Sequence, residues 1–261
     1  MNHPTEPARR HIGETRRSAT DAVKSGAATL LHGGLAAAAT SVGGPLAGIG
    51  ISAITSALGN FMSSRGDERA TSVFVRAANE IRQRVEAGEQ LRTDGFFEAS
   101  ENGRSAAEET VEDLLRACRD EPSERKLPYM SNMLCETAFD ASVDLDMAHQ
   151  AISIAERLTY RQLCIMQLAA AKNAYALRSD DYRGQGTFSA ELYPVLQECA
   201  DLYQHGLVNF GGEVVFGLTD VKPVSMQLQG VGGVLHRLMR LHELPQPDIS
   251  VVAHRLGPDE S

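Results

Sequence analysis

Charged residues are distributed unevenly along the chain, and the most unusual part comes early. Residues 25–64 contain no Asp, Glu, Lys or Arg, although charged residues make up 23% of the protein. The stretch divides at Gly43-Gly44-Pro45 into two arms, residues 27–42 and 46–62. Glycine can end one helix and a following proline can begin the next, so the pattern predicts a helical hairpin. Its small-residue and turn positions are Gly33, Gly34, Gly43, Gly44, Pro45, Gly48 and Gly50.

The predicted hairpin is a candidate membrane segment. Each arm would be ~24–26 Å long as a helix, slightly less than the ~30 Å apolar core of a bilayer. Gly44 and Gly48 lie four residues apart, a spacing that lets helices pack closely in lipid. Residues 1–25 are basic, with five Lys or Arg against three acidic residues, which favours a cytoplasmic location for that flank. A buried hairpin in a soluble helical protein is the alternative, and a secretory signal peptide fits less well.

Beyond this stretch, apolar residues recur at helical spacing. One helix is predicted from Asp67 to Ala87, and another ends near Arg119 after a capping box formed by Ser105 and Glu108. Further helices are predicted after Pro128, over residues 144–157 and 160–173, and over residues 188–205. Thr159 and Gln162 form a second capping box, which opens the most apolar of these helices. That helix is expected at the centre of the domain.

The period of the pattern changes near the C-terminal end. The sequence GLVNFGGEVVFGL contains two strand-like runs around Gly211-Gly212, which predicts a β-hairpin. Residues 226–243 return to a helical pattern, so the order is helix, helix, β-hairpin, helix. This order predicts a winged-helix-like module.

These patterns predict a mainly α fold: a Gly/Ala-rich helical hairpin, then an α-helical bundle ending in a winged-helix-like module with one β-hairpin. The corresponding segments are a basic N-terminal segment (1–25), the hairpin (26–64), the bundle (65–175), the module (176–245) and a C-terminal tail (246–261).

Composition narrows the functional classes. The formal net charge of −9 argues against a protein that coats nucleic acid through a broad basic face. Cys118, Cys135, Cys164 and Cys199 form no closely spaced pair and lie in apolar helical patterns, which predicts buried, reduced thiols in a cytoplasmic setting. We find no specific catalytic, metal-binding or cofactor-binding motif, so an enzyme is not expected.

Arginines supply the candidate binding chemistry. One face of the helix after residue 65 carries four of them, and the last predicted helix carries two more beside His236. They are candidates for contact with an anionic ligand or a phosphate group. A solvated face paired with Glu80 and Glu86 is the alternative for the first group. The candidate residues are Arg69, Arg76, Arg82, Arg84, Arg237 and Arg240.

Three segments carry a resemblance to known proteins: KLPYMSNMLCETAFD with AISIAERLTYRQLCIMQLAA, then DLYQHGLVNFGG, and finally GGVLHRLMRL. Their apolar spacing resembles the Abi-alpha type of bacterial abortive-infection proteins. The combination of a charge-free hairpin and a helical cytoplasmic part is also similar in architecture to α-helical membrane effectors of antiphage systems, including the Hailong type. Those effectors are channels controlled by a nucleotide or a DNA oligomer from a partner nucleotidyltransferase.

The resemblance implies an oligomeric pore or ion channel of antiphage defence, located in the cytoplasmic membrane with most of the chain cytoplasmic. Its expected partners are the membrane, further copies of the chain, and a nucleotide or single-stranded DNA regulator. The alternative is a soluble helical adaptor or a nucleic-acid-binding regulator, in which the Gly-rich hairpin is a packing element.

Overall fold

The computed structural model describes residues 65–101 and 103–258. The basic segment 1–25 and the predicted hairpin 26–64, with all of its named glycines and Pro45, lie outside the described residues. The described part is mainly α-helical, with eight α-helices and one two-stranded antiparallel sheet. The helices are α1 Arg65–Glu86, α2 Ala106–Asp120, α3 Leu127–Thr137, α4 Leu145–Arg157, α5 Tyr160–Ala170, α6 Leu192–Gln204, α7 Val231–Leu238 and α8 Gln246–Arg255; the strands are β1 Val208–Phe210 and β2 Met226–Leu228.

Local sequence signals explain where the helices begin and end. Both capping boxes are confirmed: Glu108 N donates to Ser105 Oγ over 3.2 Å, and Gln162 N donates to Thr159 Oγ1 over 3.1 Å. Asp144 caps α4 by accepting from Met147 N. Each such cap stabilises its helix by about 1 kcal/mol, because it satisfies an amide that has no partner within the helix.

The core is a single cluster of apolar side chains that runs through the helices from α1 to α8. α1 buries Val73, Phe74 and Ile81 against α2 and α3. α5 is buried almost all round and contacts α6, α7, α8 and β2, so its predicted central position is confirmed. α7 packs on α3 and α4, which joins the predicted bundle and the predicted module through one core.

The sheet differs from the predicted hairpin. A tight turn is present at Gly211 and Gly212, whose φ angles are +68° and +87°, but only one bridge forms after it, between Phe210 and Glu213. β1 pairs instead with β2, in the register Val208 with Leu228 and Phe210 with Met226. The helix predicted over residues 226–243 was therefore wrong at its start, because residues 226–228 complete the sheet and α7 begins only after it.

Gly232 explains why α7 can follow the sheet so closely. A Cβ atom at this position would lie 2.0 Å from the carbonyl oxygen of Leu207, a distance that no side chain tolerates. The glycine therefore lets the start of α7 pack directly on the backbone that precedes β1.

The segment predicted as a C-terminal tail contains α8. Its apolar residues Ile249, Val252 and Leu256 recur at helical spacing and are buried, so the helix gains stability by packing on α5. Asp248 anchors its first turn by accepting from Tyr160 Oη over 2.9 Å and pairing with Arg125 at 2.6 Å.

A buried lysine joins three helices. Lys126 precedes α3 and its side chain is 1% exposed; it pairs with Glu121, just after α2, at 2.5 Å. Its Nζ also donates to the carbonyl oxygens of Glu156 and Leu158 at the end of α4, at 3.0 and 2.7 Å. One ammonium group thus balances the charge of a buried carboxylate and donates to two helix-terminal carbonyls.

Replacing this lysine should destabilise the whole domain. Lys126→Met leaves the Glu121 carboxylate buried without its counter-ion, so we expect the free energy of unfolding to fall by about 3–5 kcal/mol. Urea denaturation of the full chain measures it. Lys172→Met, in the turn after α5, is the matched control and should change stability by less than about 0.5 kcal/mol. Equal effects of the two substitutions would contradict the assignment.

Candidate functional site

Two of the six arginines predicted from sequence meet at one carboxylate. Glu136, near the end of α3, accepts from Arg84 of α1 over 2.7 Å and from Arg240, which follows α7, over 2.5 Å. Arg240 also pairs with Glu80, one turn before Arg84 on α1. The side chains of Glu136, Arg84 and Arg240 are only 18–21% exposed. We call these four residues the Glu136 cluster.

Arg84 is held from several directions. Its Nε donates to Glu89 over 2.7 Å, and its guanidinium lies 3.9 Å from the centre of the Phe139 ring. The hydrogen bond to Glu89 raises the pKa of Arg84 above its usual value, and Arg84 in turn lowers the pKa of Glu89. Arg84 therefore stays charged and fixed across the physiological range.

Arg240 occupies a strained backbone position. Its φ of 48° and ψ of 53° make it the one non-glycine residue with positive φ in residues 65–101 and 103–258. Such a conformation costs on the order of 1–3 kcal/mol, so the surroundings must hold it. Burial tends to lower the pKa of Arg240, but its hydrogen bonds to Glu136 and Glu80 outweigh that effect and raise it. The side chain of Asn132 on α3 also holds this turn, because it donates to the carbonyl oxygen of Met239, the residue before Arg240, over 3.1 Å.

The charges in and around the Glu136 cluster oppose the binding of an anionic ligand. Arg84 and Arg240 contribute two positive charges, and both are already in ion pairs. The carboxylates that pair with them are more numerous than the two guanidiniums, and they would repel an incoming phosphate. The contacts of Arg84 and Arg240 therefore favour a role in fixing α1 to the turn after α7. Those carboxylates are Glu80, Glu89, Glu136 and Glu243.

The other predicted arginines do not join this cluster. Arg69 donates to Glu124 at 2.6 Å and to the carbonyl oxygen of Glu121, Arg82 lies 3.8 Å from Glu86, and Arg237 pairs with Asp140 at 2.5 Å. Arg76 is exposed and forms no ion pair with any residue that the structure describes. It lines a shallow depression of about 510 Å³ along α1.

Sequence reasoning identified the arginines but not the acidic residue that joins two of them. Glu136 is the one charged residue within α3, and a lone carboxylate near the end of that helix was the available signal. Its partners lie 52 and 104 residues away, so nothing local identifies them.

The thiols are structural. All four cysteines are free and buried, and burial raises the pKa of Cys118 and Cys164 to about 12 and that of Cys135 to about 11. The prediction of buried, reduced thiols is confirmed. These groups stay protonated near neutral pH, which makes them poor nucleophiles and poor metal ligands.

Within the described residues, no group of three or more His, Cys, Asp or Glu side chains is arranged to hold a metal ion. None of the helices in that part of the chain combines the length and the apolar character needed to cross a bilayer. Comparison with known proteins found no matching family model, curated protein or solved structure. The function is therefore inferred from sequence and geometry.

The strained turn gives a test of the Glu136 cluster. Arg240→Ala and Arg240→Gly remove the same ion pairs, but glycine adopts positive φ without strain. We expect Arg240→Ala to lower the free energy of unfolding by about 1 kcal/mol more than Arg240→Gly. Urea denaturation of the two variants measures the difference. Arg116→Ala, at an exposed arginine, should cost less than about 0.5 kcal/mol. Identical losses in the two Arg240 variants would show that the turn is not strained in solution.

Proposed function

We propose that the chain is an oligomeric, membrane-disrupting effector of bacterial antiphage abortive-infection defence, acting as a pore or ion channel. The observation that carries this proposal is the charge-free stretch 25–64. Forty residues without a charge are hard to cover in a chain of 261 residues, and a pair of helical arms with small residues at close spacing suits association in lipid. Residues 27–62 are proposed to insert as a hairpin in the cytoplasmic membrane.

Assembly of several copies follows from the length of the arms. At ~24–26 Å each, two arms are slightly shorter than the bilayer core and cannot enclose a conduit alone. Gly44 and Gly48 would allow the arms of neighbouring copies to approach closely. The homo-oligomer is thus part of the proposal.

α1 is the proposed link between the membrane segment and the rest of the chain. It begins at Arg65, directly after the charge-free stretch, and extends over 22 residues, or ~33 Å at 1.5 Å per residue. Its far end is fixed by the Glu136 cluster, and its apolar face is packed into the core. A shift of α1 would therefore move the point at which residues 25–64 attach, which is a physical route for gating.

The regulator that opens the channel is proposed to bind the helical domain that follows residue 64. We interpret the C-terminal part of this domain, residues 176–245, as a winged-helix-like module. A nucleotide or a single-stranded DNA from a partner nucleotidyltransferase is the proposed class of regulator. Duplex DNA is disfavoured as the regulator, because Glu191, just before α6, faces solvent together with Gln197 and Gln204 of the helix, and its carboxylate would repel phosphates. Glu198, also on α6, is buried and pairs with Arg161 at 2.5 Å.

The membrane potential of expressing cells tests the proposal. The full chain should depolarise the membrane after its trigger, and a variant lacking residues 27–62 should not. Gly44→Leu combined with Gly48→Leu should also abolish depolarisation, because the larger side chains prevent close helix packing. Gly186→Leu is the matched control, since an added side chain there meets no atom within 4 Å, and it should retain the effect.

Two results would reject the channel. One is unchanged depolarisation in the Gly44→Leu, Gly48→Leu variant. The other is a full chain that stays in the soluble fraction after the trigger and never changes the membrane potential, which would favour a helical adaptor.

A further inference from the structure

The start of α1 is tied to the loop between α2 and α3 by one arginine. Among the described side chains of α1, the buried apolar ones extend from Ala70 to Val85, and Arg69 comes directly before them. Its Nε donates to Glu124 over 2.6 Å, and its Nη1 donates to the carbonyl oxygen of Glu121 over 2.9 Å. We call these two contacts the Arg69 anchor.

The loop that the anchor contacts, residues 121–126, is held by buried charges. Glu121 and Lys126 are both buried, and they pair at 2.5 Å. The other carboxylate oxygen of Glu121 accepts from the amide of Ser123 over 2.9 Å, and the amide of Lys126 donates to the carbonyl oxygen of Ser123 over 3.0 Å. Opening this loop would expose or unpair a buried charge, which is costly. The start of α1 is therefore attached to a well-fixed loop.

The same loop is connected to the C-terminal part of the domain. Nζ of Lys126 donates to the carbonyl oxygen of Leu158 over 2.7 Å. The next residue, Thr159, caps α5, and its hydroxyl donates to the carboxylate of Glu198 on α6 over 2.9 Å. Hydrogen bonds and one peptide bond thus join α6 to the loop after α2. That loop is where the start of α1 and the C-terminal part meet.

The Arg69 anchor is the weaker part of this connection. The side chain of Glu124 is 66% exposed and that of Arg69 is 36% exposed, so water and salt screen their attraction. The pair of Lys126 and Glu121 is buried and is screened much less. A displacement of α1 relative to the loop therefore breaks the contacts of Arg69 before those of Lys126.

We infer that the Arg69 anchor is a releasable contact that sets the position of the start of α1, and with it the point where residues 25–64 attach. Its release leaves the domain folded, because the buried apolar side chains of α1 and the pair of Lys126 with Glu121 stay in place. The inference deepens the proposed function and rests on it, since only a membrane segment at 25–64 makes this release a step in gating.

Hydrogen exchange of the full chain tests the anchor. Arg69→Ala removes both contacts, so we expect amide exchange in residues 69–73 to become about fivefold faster. Exchange in α5, which reports opening of the core, should stay unchanged. Unchanged exchange in residues 69–73 would overturn the inference. Faster exchange in α5 as well would show a general loss of stability and would likewise overturn it.

Arg76→Ala is the matched control for this experiment. Arg76 lies on the same helix, is exposed and forms no ion pair with any residue that the structure describes. The two variants make the same change of residue type, so any general effect of alanine on the helix is common to both. Arg76→Ala should leave exchange at the start of α1 unchanged, and equal acceleration by the two variants would contradict the anchor.

Reversal of the charges gives a second readout, which a purely structural effect of residue 69 would not produce. Arg69→Glu alone removes both contacts and places two carboxylates side by side. Adding Glu124→Arg restores a pair of opposite charges, so exchange at the start of α1 should be about threefold slower in the double variant than in Arg69→Glu. Equal rates in these two variants would show that residues 69 and 124 do not pair directly in solution.

The membrane potential of expressing cells separates this inference from the proposed channel. If both hold, Arg69→Ala should change the expression level that depolarises half of the cells by about threefold, whereas Arg76→Ala should not. An unchanged level despite faster local exchange would overturn the link to residues 25–64. Local exchange that responds to Arg69→Ala in a chain that never depolarises cells would support the anchor and reject the channel. Depolarisation and local exchange that both stay unchanged in Arg69→Ala would reject the anchor and leave the channel standing.

Discussion

Glu136 is the carboxylate through which the two ends of the described chain are held together. It lies on α3, yet its partners are Arg84 near the end of α1 and Arg240 just before the final turn and α8. The three side chains are mostly buried, so their attraction is screened less than that of a surface ion pair. Removing the carboxylate would leave two guanidiniums beside an apolar core without their shared partner, which costs far more than the loss of an exposed pair. One carboxylate is therefore shared by the end of α1 and by the strained turn at Arg240.

The same arrangement explains why clustered arginines need not mark a ligand site. A phosphate site requires unpaired donors and a positive potential, whereas Arg84 and Arg240 use their donors on Glu136, Glu80 and Glu89. An anion that entered would have to break these pairs and face the remaining carboxylates. Of the six candidate arginines, Arg76 keeps an exposed guanidinium with no ion pair within the described ranges, and one exposed arginine on the side of a helix gives little affinity by itself.

Signals carried by neighbouring residues predicted much of this fold. Ser105 with Glu108 and Thr159 with Gln162 fixed two helix starts, because a cap depends only on residues three apart. The partner of β1 was missed, because two runs separated by Gly211-Gly212 satisfy the local rule for a hairpin while β2 lies further along the chain and is chosen by packing on α5. α8 was missed because its apolar residues are few among polar ones. Glu136 and Lys126 were missed because a buried charge is identified only by partners that the fold supplies.

A gate requires two conformations of the same residues. Within the described domain, the turn at Arg240 is held in a strained backbone conformation, and release of that strain would favour a second conformation. The left-handed turn at Arg240 stores strain that its ion pairs to Glu136 and Glu80 offset. A regulator that binds equally to both arrangements shifts nothing, so it must contact α1, α3 or α7 differently when these pairs are broken. Release of Arg240 would relax the turn and break its ion pair with Glu80 on α1, while Arg84 would keep its pairs with Glu136 and Glu89. Since α1 directly follows residues 25–64 in the chain, we propose that a shift of α1 after this release is transmitted to the proposed membrane segment.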